Sequence, residues 1–263
     1  MSDEIRRITS FQNPRVKLIK KLRDKRGRER EGRFVIDNER DLARALARGY
    51  QADFVLYTPD NQPDLPDLPP HTLYEVTPDI LEKASYRDNP SALVAVMVSR
   101  PLLTLADLNP TRQPLILALV GLEKPGNIGA LLRTADAVGV DAVLFVDQAL
   151  DLFNPNIIRT STGACFLNNI YATNSADAIQ FLHEHGYRVA ATVVDGDTDL
   201  FQADFSGRVA FVMGTEDVGL SEDWVNASNQ RLTIPMIGQV SDSLNVSVSG
   251  AVCLYEAFRQ RRI

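Results

Sequence analysis

Residues 115–146, LILALVGLEKPGNIGALLRTADAVGVDAVLFV, decide the fold. The run Leu115–Val120 is apolar throughout, which suits a strand buried on both faces better than one with a wet side. Gly121, Pro125, Gly126 and Gly129 then break the pattern. Over residues 128–138, Ile128, Leu131, Leu132, Ala135 and Val138 fall on one side of a helix. Ala142–Val146 is apolar again. Strand, helix, strand in this order predicts a parallel crossover unit.

Toward the carboxyl terminus the alternation continues. Asn154-Pro155 opens a helix, and residues 170–172, 189–194 and 209–213 read as strands, with a helix near 176–185. Residues 233–234 form a last short strand, and residues 246–258 a closing helix. The expected fold is α/β, with a parallel sheet whose ligands bind beyond the carboxyl ends of its strands. Toward the amino terminus a smaller α/β unit is expected. Asn13-Pro14 starts a helix carrying Val16, Leu18, Ile19 and Leu22, which Gly27 closes. Residues 34–36, 54–57 and 92–98 read as strands, 37–49 and a segment from Thr77-Pro78 as helices, and the five prolines of 59–70 as a loop. Pro101, Pro110 and Pro114 mark a linker. The expected division is therefore 1–100, a linker 101–113, and 114–263. A fragment from about residue 112 is expected to keep the chemistry of the second unit.

Composition bounds the function. The chain has 263 residues, 44% hydrophobic and 24% charged, which excludes disordered and fibrous classes. Two cysteines, Cys165 and Cys253, exclude a disulfide framework, and His71, His183 and His185 follow no metal-ligand spacing, so no metal is expected. Neither a membrane-spanning run nor a signal-peptide pattern is found, so a cytoplasmic protein without a membrane partner is expected. The net charge of −6 conceals an asymmetry: residues 1–50 hold 15 Lys and Arg against 8 Asp and Glu, a balance of +7, and the rest carry −13. A basic head suggests a polyanionic partner, although a solvated helix face with interleaved Asp24, Glu29 and Glu31 explains the run equally well. Phe11 and Phe34, which flank it, suit core positions better than base stacking.

Three loops at strand ends carry chemistry. The first, from Gly121 to Gly129, lacks both the GxGxxG and the GxxxxGK[ST] phosphate-binding patterns. Asn127 within it could cap the following helix, and Arg133 could pair with Asp136 or Asp141. The second, Gly214-Thr-Glu-Asp-Val-Gly219, presents Glu216 in a turn, a placement that capping by Ser221 does not explain. The third, residues 234–249, crowds more small polar residues, among them Ser243 and Asn245, than one cap requires.

Read together, these segments resemble the SpoU (TrmH-like) family of RNA 2′-O-methyltransferases, within the SPOUT superfamily. PGNIGALLRTADAVG holds Asn127 and Arg133 at the first motif. FVMGTEDVGLS holds Gly214, Glu216 and Gly219 at the second. IPMIGQVSDSLNVSVSGAVCLYE carries the family's IPM and SLNVSV at the third. The likeness covers residues 114–263, with Lys124 standing where an acidic residue is common and Ser249 where alanine is. The first hundred residues look like a ribosomal-protein-like RNA-binding domain. The resemblance implies a trefoil-knotted methyltransferase domain, a homodimer, and S-adenosylmethionine as cofactor, bound by Gly214, Ile234, Leu244, Thr192, Asn245 and Glu216. It implies catalytic roles for Arg133, Asn127, Glu216, Asn245 and Ser243, with Asn127 and Arg133 approaching the partner's donor site. RNA is the implied partner, ribosomal RNA before transfer RNA. The alternatives are a non-catalytic RNA-binding protein on the same scaffold, and an ordinary Rossmann-type methyltransferase, against which the missing glycine fingerprint counts.

Overall fold

The computed structural model describes residues 6–62, 68–86, 92–111, 114–147, 151–238, 240 and 243–262. Contacts divide the chain into two units, Met1–Pro101 with Asp151–Leu167, and Leu102–Leu150 with Asn168–Ile263.

The first unit holds strands β1 (Arg7–Ile8), β2 (Arg33–Ile36), β3 (Ala52–Tyr57), β4 (Leu73–Val76) and β5 (Leu93–Val98) in the order β1-β4-β3-β5-β2. β1, β4 and β3 run parallel, and β5 lies antiparallel to β3 and β2. Helices α1 (Pro14–Lys21), α2 (Lys25–Glu31), α3 (Glu39–Ala47) and α4 (Pro78–Ala84) accompany the sheet. The expected single helix after Asn13 is in fact two. The Asp24 carboxylate accepts from Gly27 N at 2.7 Å and starts α2, which Gly32 ends in the left-handed conformation. Gly27 is thus no terminator; a Cβ there would lie 1.7 Å from the Lys21 carbonyl oxygen, so glycine permits the close turn between the two helices. Phe34 is buried, as expected, and Phe11 is half-buried against the core.

The second unit runs β6 (Leu115–Val120), α5 (Pro125–Val138) and β7 (Ala142–Val146). α6 (Pro155–Ser161) follows but belongs to the first unit. The chain then returns through β8 (Ile170–Thr173), α7 (Ser175–Glu184), β9 (Arg188–Thr192), β10 (Thr198–Asp199), β11 (Val209–Met213), α8 (Glu222–Ala227), β12 (Gln230–Thr233) and α9 (Val246–Arg261). All seven strands are parallel, in the order β10-β12-β9-β11-β6-β7-β8. Ile116, Ala118, Leu144, Val189 and Ala210 of the sheet bury against Trp224 and the α7 side chains Ala178 and Leu182. Burying both faces of β6, β7 and β11 is what made them legible as unbroken apolar runs. Residues 102–111 act as more than a linker: Leu103, Leu105 and Leu108 pack on this core, and Leu103 bridges to Tyr171. α9 packs along α5, where Gly250 gives the room; a Cβ there would stand 2.3 Å from Leu131 Cδ2. Among the described residues, no helix is long and apolar enough to cross a membrane.

Residues 151–167, between β7 and β8, are built into the first unit. Phe153 stacks on Phe34 with ring centroids 4.1 Å apart, and Phe166 meets Tyr50 edge-on. Arg28, buried in α2, forms a salt bridge with Asp151 and donates to the carbonyls of Leu22 (2.6 Å) and Arg23 (2.9 Å).

Candidate active site

The carboxyl ends of β9, β11 and β12 surround a cavity of about 630 Å³. Seven of the residues expected at the site line it: Thr192, Gly214, Glu216, Ile234, Ser243, Leu244 and Asn245. A second, shallower depression, with His183, Arg188 and Asn229 on its wall, lies at the amino ends of β9 and β12, the edge where parallel sheets do not place their ligands.

The turn after β11 is shaped by its glycines. Thr215 N donates to Gly219 O at 3.2 Å and Gly219 N returns to Thr215 O at 3.1 Å, so the turn closes on itself and projects Glu216. Gly219 has φ +69, and a Cβ on Gly214 would lie 2.5 Å from the Gly219 carbonyl carbon. Both positions therefore require glycine. Thr192 donates its hydroxyl to Val212 O at 2.7 Å, tying β9 to β11 below the cavity, so its donor is already engaged.

Asn127 does not cap α5. The helix begins at Pro125 with Lys124 in the cap position, which leaves the Asn127 side chain free to turn toward the other loops. Its Nδ2 donates to Glu216 Oε1, and its Oδ1 accepts from Asn245 Nδ2 at 3.3 Å. Since a carboxylate only accepts, the bond to Glu216 fixes which way the Asn127 amide faces, and Asn245 then completes it. Asn245 also caps α9, its Oδ1 accepting from Ser247 N (3.0 Å) and Ser247 Oγ (2.7 Å). The capping role and the site role thus coexist in one side chain. One polar chain, Glu216–Asn127–Asn245, joins all three loops.

Two residues stand apart. Arg133 lies two turns into α5, exposed, outside the cavity lining, and among the described residues forms no hydrogen bond or ion pair, including with Asp136 or Asp141. Lys124, not among the expected site residues, lines the cavity with its Nζ 3.8 Å from Glu216 Oε1. Its signal was a lysine set among the glycine and proline of a strand-end loop. Burial pushes the Cys165 and Cys253 thiols up to about 12, so neither supplies a thiolate nucleophile. Among the described residues, no group of three or more His, Cys, Asp or Glu side chains could hold a metal ion.

Residues 114–255 match the SpoU rRNA Methylase family, and residues 13–95 match the MRM3-like substrate binding domain. A 23S rRNA (uridine(2479)-2′-O)-methyltransferase of Streptomyces viridochromogenes is 30% identical over 97% of this chain and 93% of its own length. Among solved structures, an RNA 2′-O ribose methyltransferase superposes with a TM-score of 0.84 at 38% identity, covering 98% of this chain and all of that one. The AdoMet-bound rRNA methyltransferase of Sinorhizobium meliloti gives 0.85 at 28% identity, covering 97% and 98%. With its three motif loops meeting at one cavity and more than half its length matched, this chain belongs to the SpoU rRNA methylase family.

Proposed function

We propose that the chain transfers the methyl group of S-adenosylmethionine to a ribose 2′-hydroxyl of RNA, ribosomal rather than transfer RNA, acting as a homodimer in the cytoplasm. The observation that carries this reading is the Glu216–Asn127–Asn245 chain at the rim of the cavity, in a member of the SpoU family. The names of the similar proteins support ribosomal RNA and the 2′-oxygen. Likeness over nearly the whole chain to solved members supports the trefoil knot as part of the reading.

The cavity suits the donor. Its volume lies within the roughly 300–1,000 Å³ of small-molecule sites. Gly214, Ile234 and Leu244 offer backbone groups along its wall, and at Gly214 a side chain is sterically barred. Asp195, Glu216 and Asp217 outweigh Lys124 in the lining, a negative excess that favours a sulfonium. When bound, the donor supplies a methyl group already activated by positively charged sulfur. The protein's task is then to align the ribose oxygen and ease the departure of its proton. A guanidinium offers only N–H donors, so Arg133 acts as a donor and not as a base. Its planar fork grips the phosphate beside the target ribose and stabilises charge developing on the oxygen, while that phosphate or a water takes the proton. Glu216 and Asn245 fix the Asn127 amide, which orients the ribose, and Ser243 assists from the cavity wall.

The dimer is supported by α9, whose Val248 and Tyr255 are 47% and 52% exposed on the helix that otherwise packs on α5. Arg133, which among the described residues forms no hydrogen bond or ion pair in its own protomer, is the residue suited to serve the partner's cavity. Asn127, expected to do the same, is bonded instead to Glu216 and Asn245 of its own chain. Incubation of the protein with labelled S-adenosylmethionine and a 23S rRNA transcript tests the reading, followed by mapping of 2′-O-methyl positions. Label at a ribose is expected. Donor binding without transfer to any ribosomal RNA would favour the non-catalytic scaffold instead.

A further inference from the structure

Among the described cations of the first unit two groups stand out, beside others, such as Lys17, Lys20 and Arg26, that meet neither a carboxylate nor a ring, and Arg100, which lies over Tyr50. Arg7, Lys25, Arg30 and Arg33 pair with Glu75, Glu29, Glu31 and Asp53. Their charge is answered within the protein. Arg6, Arg15, Arg23 and Lys83 are held differently, by aromatic rings. The Arg15 guanidinium lies 4.1 Å from the Tyr74 ring centroid and 5.5 Å from that of Phe54. Arg6 lies 5.7 Å from Tyr74 and donates to its hydroxyl at 3.2 Å. Lys83 Nζ stands 4.2 Å from the Phe11 ring, and Arg23 lies 5.7 Å from Tyr86. Among the described residues none of the four meets a carboxylate, and Asp79 and Glu82 of neighbouring α4 make no ion pair with them.

The four are also joined to one another. Tyr74 sits between Arg6 and Arg15, and Arg15 is the second residue of α1. Arg23, just beyond the end of α1, donates to the carbonyl of Lys83 at 2.7 Å and to that of Ser85 at 3.3 Å. Lys83 in turn covers Phe11, three residues before α1. The row from Arg15 to Arg23 follows the helix for about 12 Å.

A ring and a carboxylate do different things to a cation. A carboxylate cancels the charge. A ring orders the side chain and shields one face but leaves the net charge in place. Ordering the long side chain in advance also lowers the entropy lost on binding. Fixed, uncancelled, closely spaced cations are what a phosphodiester backbone requires, and they confer affinity without reading sequence.

We propose that the row Arg6–Arg15–Lys83–Arg23, seated on Tyr74, Phe11 and Tyr86, is the phosphate-contacting surface through which the first unit grips RNA. This rests on the RNA reading above and assigns the contact to ring-held cations and not to the carboxylate-paired ones.

Two charge-matched triple variants of the full-length protein test it, with poly(U) as probe and binding followed across a salt series. Arg15→Gln with Arg23→Gln and Lys83→Gln is expected to reduce the salt slope by about 2, at roughly 0.7 per single-strand phosphate contact. Lys25→Gln with Arg30→Gln and Arg33→Gln, which removes the same charge, is expected to leave the slope unchanged. Equal losses in the two triples would overturn the proposal in favour of net charge alone, and so would no loss in the first. Should the first triple fail to fold, Lys83→Gln alone, expected to remove about 0.7 of slope, decides the matter in the same way. A wild-type protein that binds neither poly(U) nor a ribosomal transcript would overturn the RNA reading itself. Wild-type binding that the first triple does not weaken overturns the surface and leaves that reading standing.

Discussion

Two connections of the seven-stranded sheet use their residues in opposite ways. The turn after β11 is polar, closes on its own backbone between Thr215 and Gly219, and holds Glu216 out toward Asn127. Residues 151–167, between β7 and β8, carry an apolar face, and their Leu152, Ile157, Ile158, Cys165 and Phe166 are buried with the first unit. A loop that satisfies its own backbone can present chemistry. A connection that carries a core face of its own needs a partner surface, and here the chain supplies it from residues more than a hundred positions earlier.

The sharpest way to break this comparison is to cut the chain. A fragment beginning at residue 112 keeps every loop of the cavity but strips the cover from Ile157, Ile158 and Phe166, which the intact protein buries. Such a fragment is expected to aggregate or to lose the donor site, against the simpler expectation that the second unit stands alone. A soluble fragment with the donor affinity of the whole protein, measured by calorimetry, would show that the β7–β8 connection needs no first unit.

A smaller change tests the same seam. Arg28 and Asp151 are a buried pair, with side chains only 6% and 16% exposed, and Arg28 also closes two carbonyls of the α1–α2 turn. Removing one member leaves the other charged and buried, which typically destabilises by about 3–5 kcal/mol. Arg28→Met is therefore expected to lower the urea midpoint of the whole protein steeply. A midpoint within error of wild type would mean that the connection is held by its aromatic contacts alone.

At the polar turn the corresponding test is catalytic. Arg133→Lys keeps the charge but loses the two fixed parallel donors of the guanidinium. Loss of one preorganised donor to a developing oxyanion typically lowers turnover about 10²–10³-fold. Donor affinity should hold, since the donor is expected to be held by the second and third loops, whose Gly214, Ile234 and Leu244 line the cavity. Single-turnover methylation of a ribosomal transcript measures it, and a rate within about threefold of wild type would reduce Arg133 to a surface residue worth about 0–1 kcal/mol.

The sequence was most legible where one physical demand dominated. β6, β7 and β11 are buried on both faces, so their strings are uniformly apolar and their limits follow directly. The three site loops were legible because polar residues stand there in excess of what capping uses. Less was legible where residues serve two ends. Leu73–Val76 falls in no expected element, since Glu75 interrupts its apolar pattern, yet Glu75 lies buried beside Arg7, which makes a strand possible. Asn127 looks like a cap, and only the start of α5 at Pro125 releases it to join Glu216 with Asn245. Apolar positions in 151–167 gave no hint of which surface they would meet, because periodicity records that a face is buried and not against what.

The smallest effect concerns a second aspartate, on the other side of β7. Asp151 faces a guanidinium; Asp141 instead accepts from Leu115 N at 2.8 Å, and burial raises its pKa above the usual carboxylate value of 3.8 despite the backbone bond and Arg261. A raised value in the folded protein means that the native state holds its proton more tightly than the unfolded chain does. The contribution of Asp141 to stability is then level below pH 3.8, falls as pH rises from there through the raised value, and is level again above it. Asp141→Asn cannot titrate and still offers a carbonyl oxygen to Leu115 N. The variant is therefore expected to gain on wild type as the pH is taken from 4 to 7, by a modest amount because the site is only partly buried. Urea unfolding at the two pH values gives the sign directly. A gap that moves the other way, with wild type gaining as pH rises, would mean that the backbone bond and Arg261 outweigh burial at Asp141.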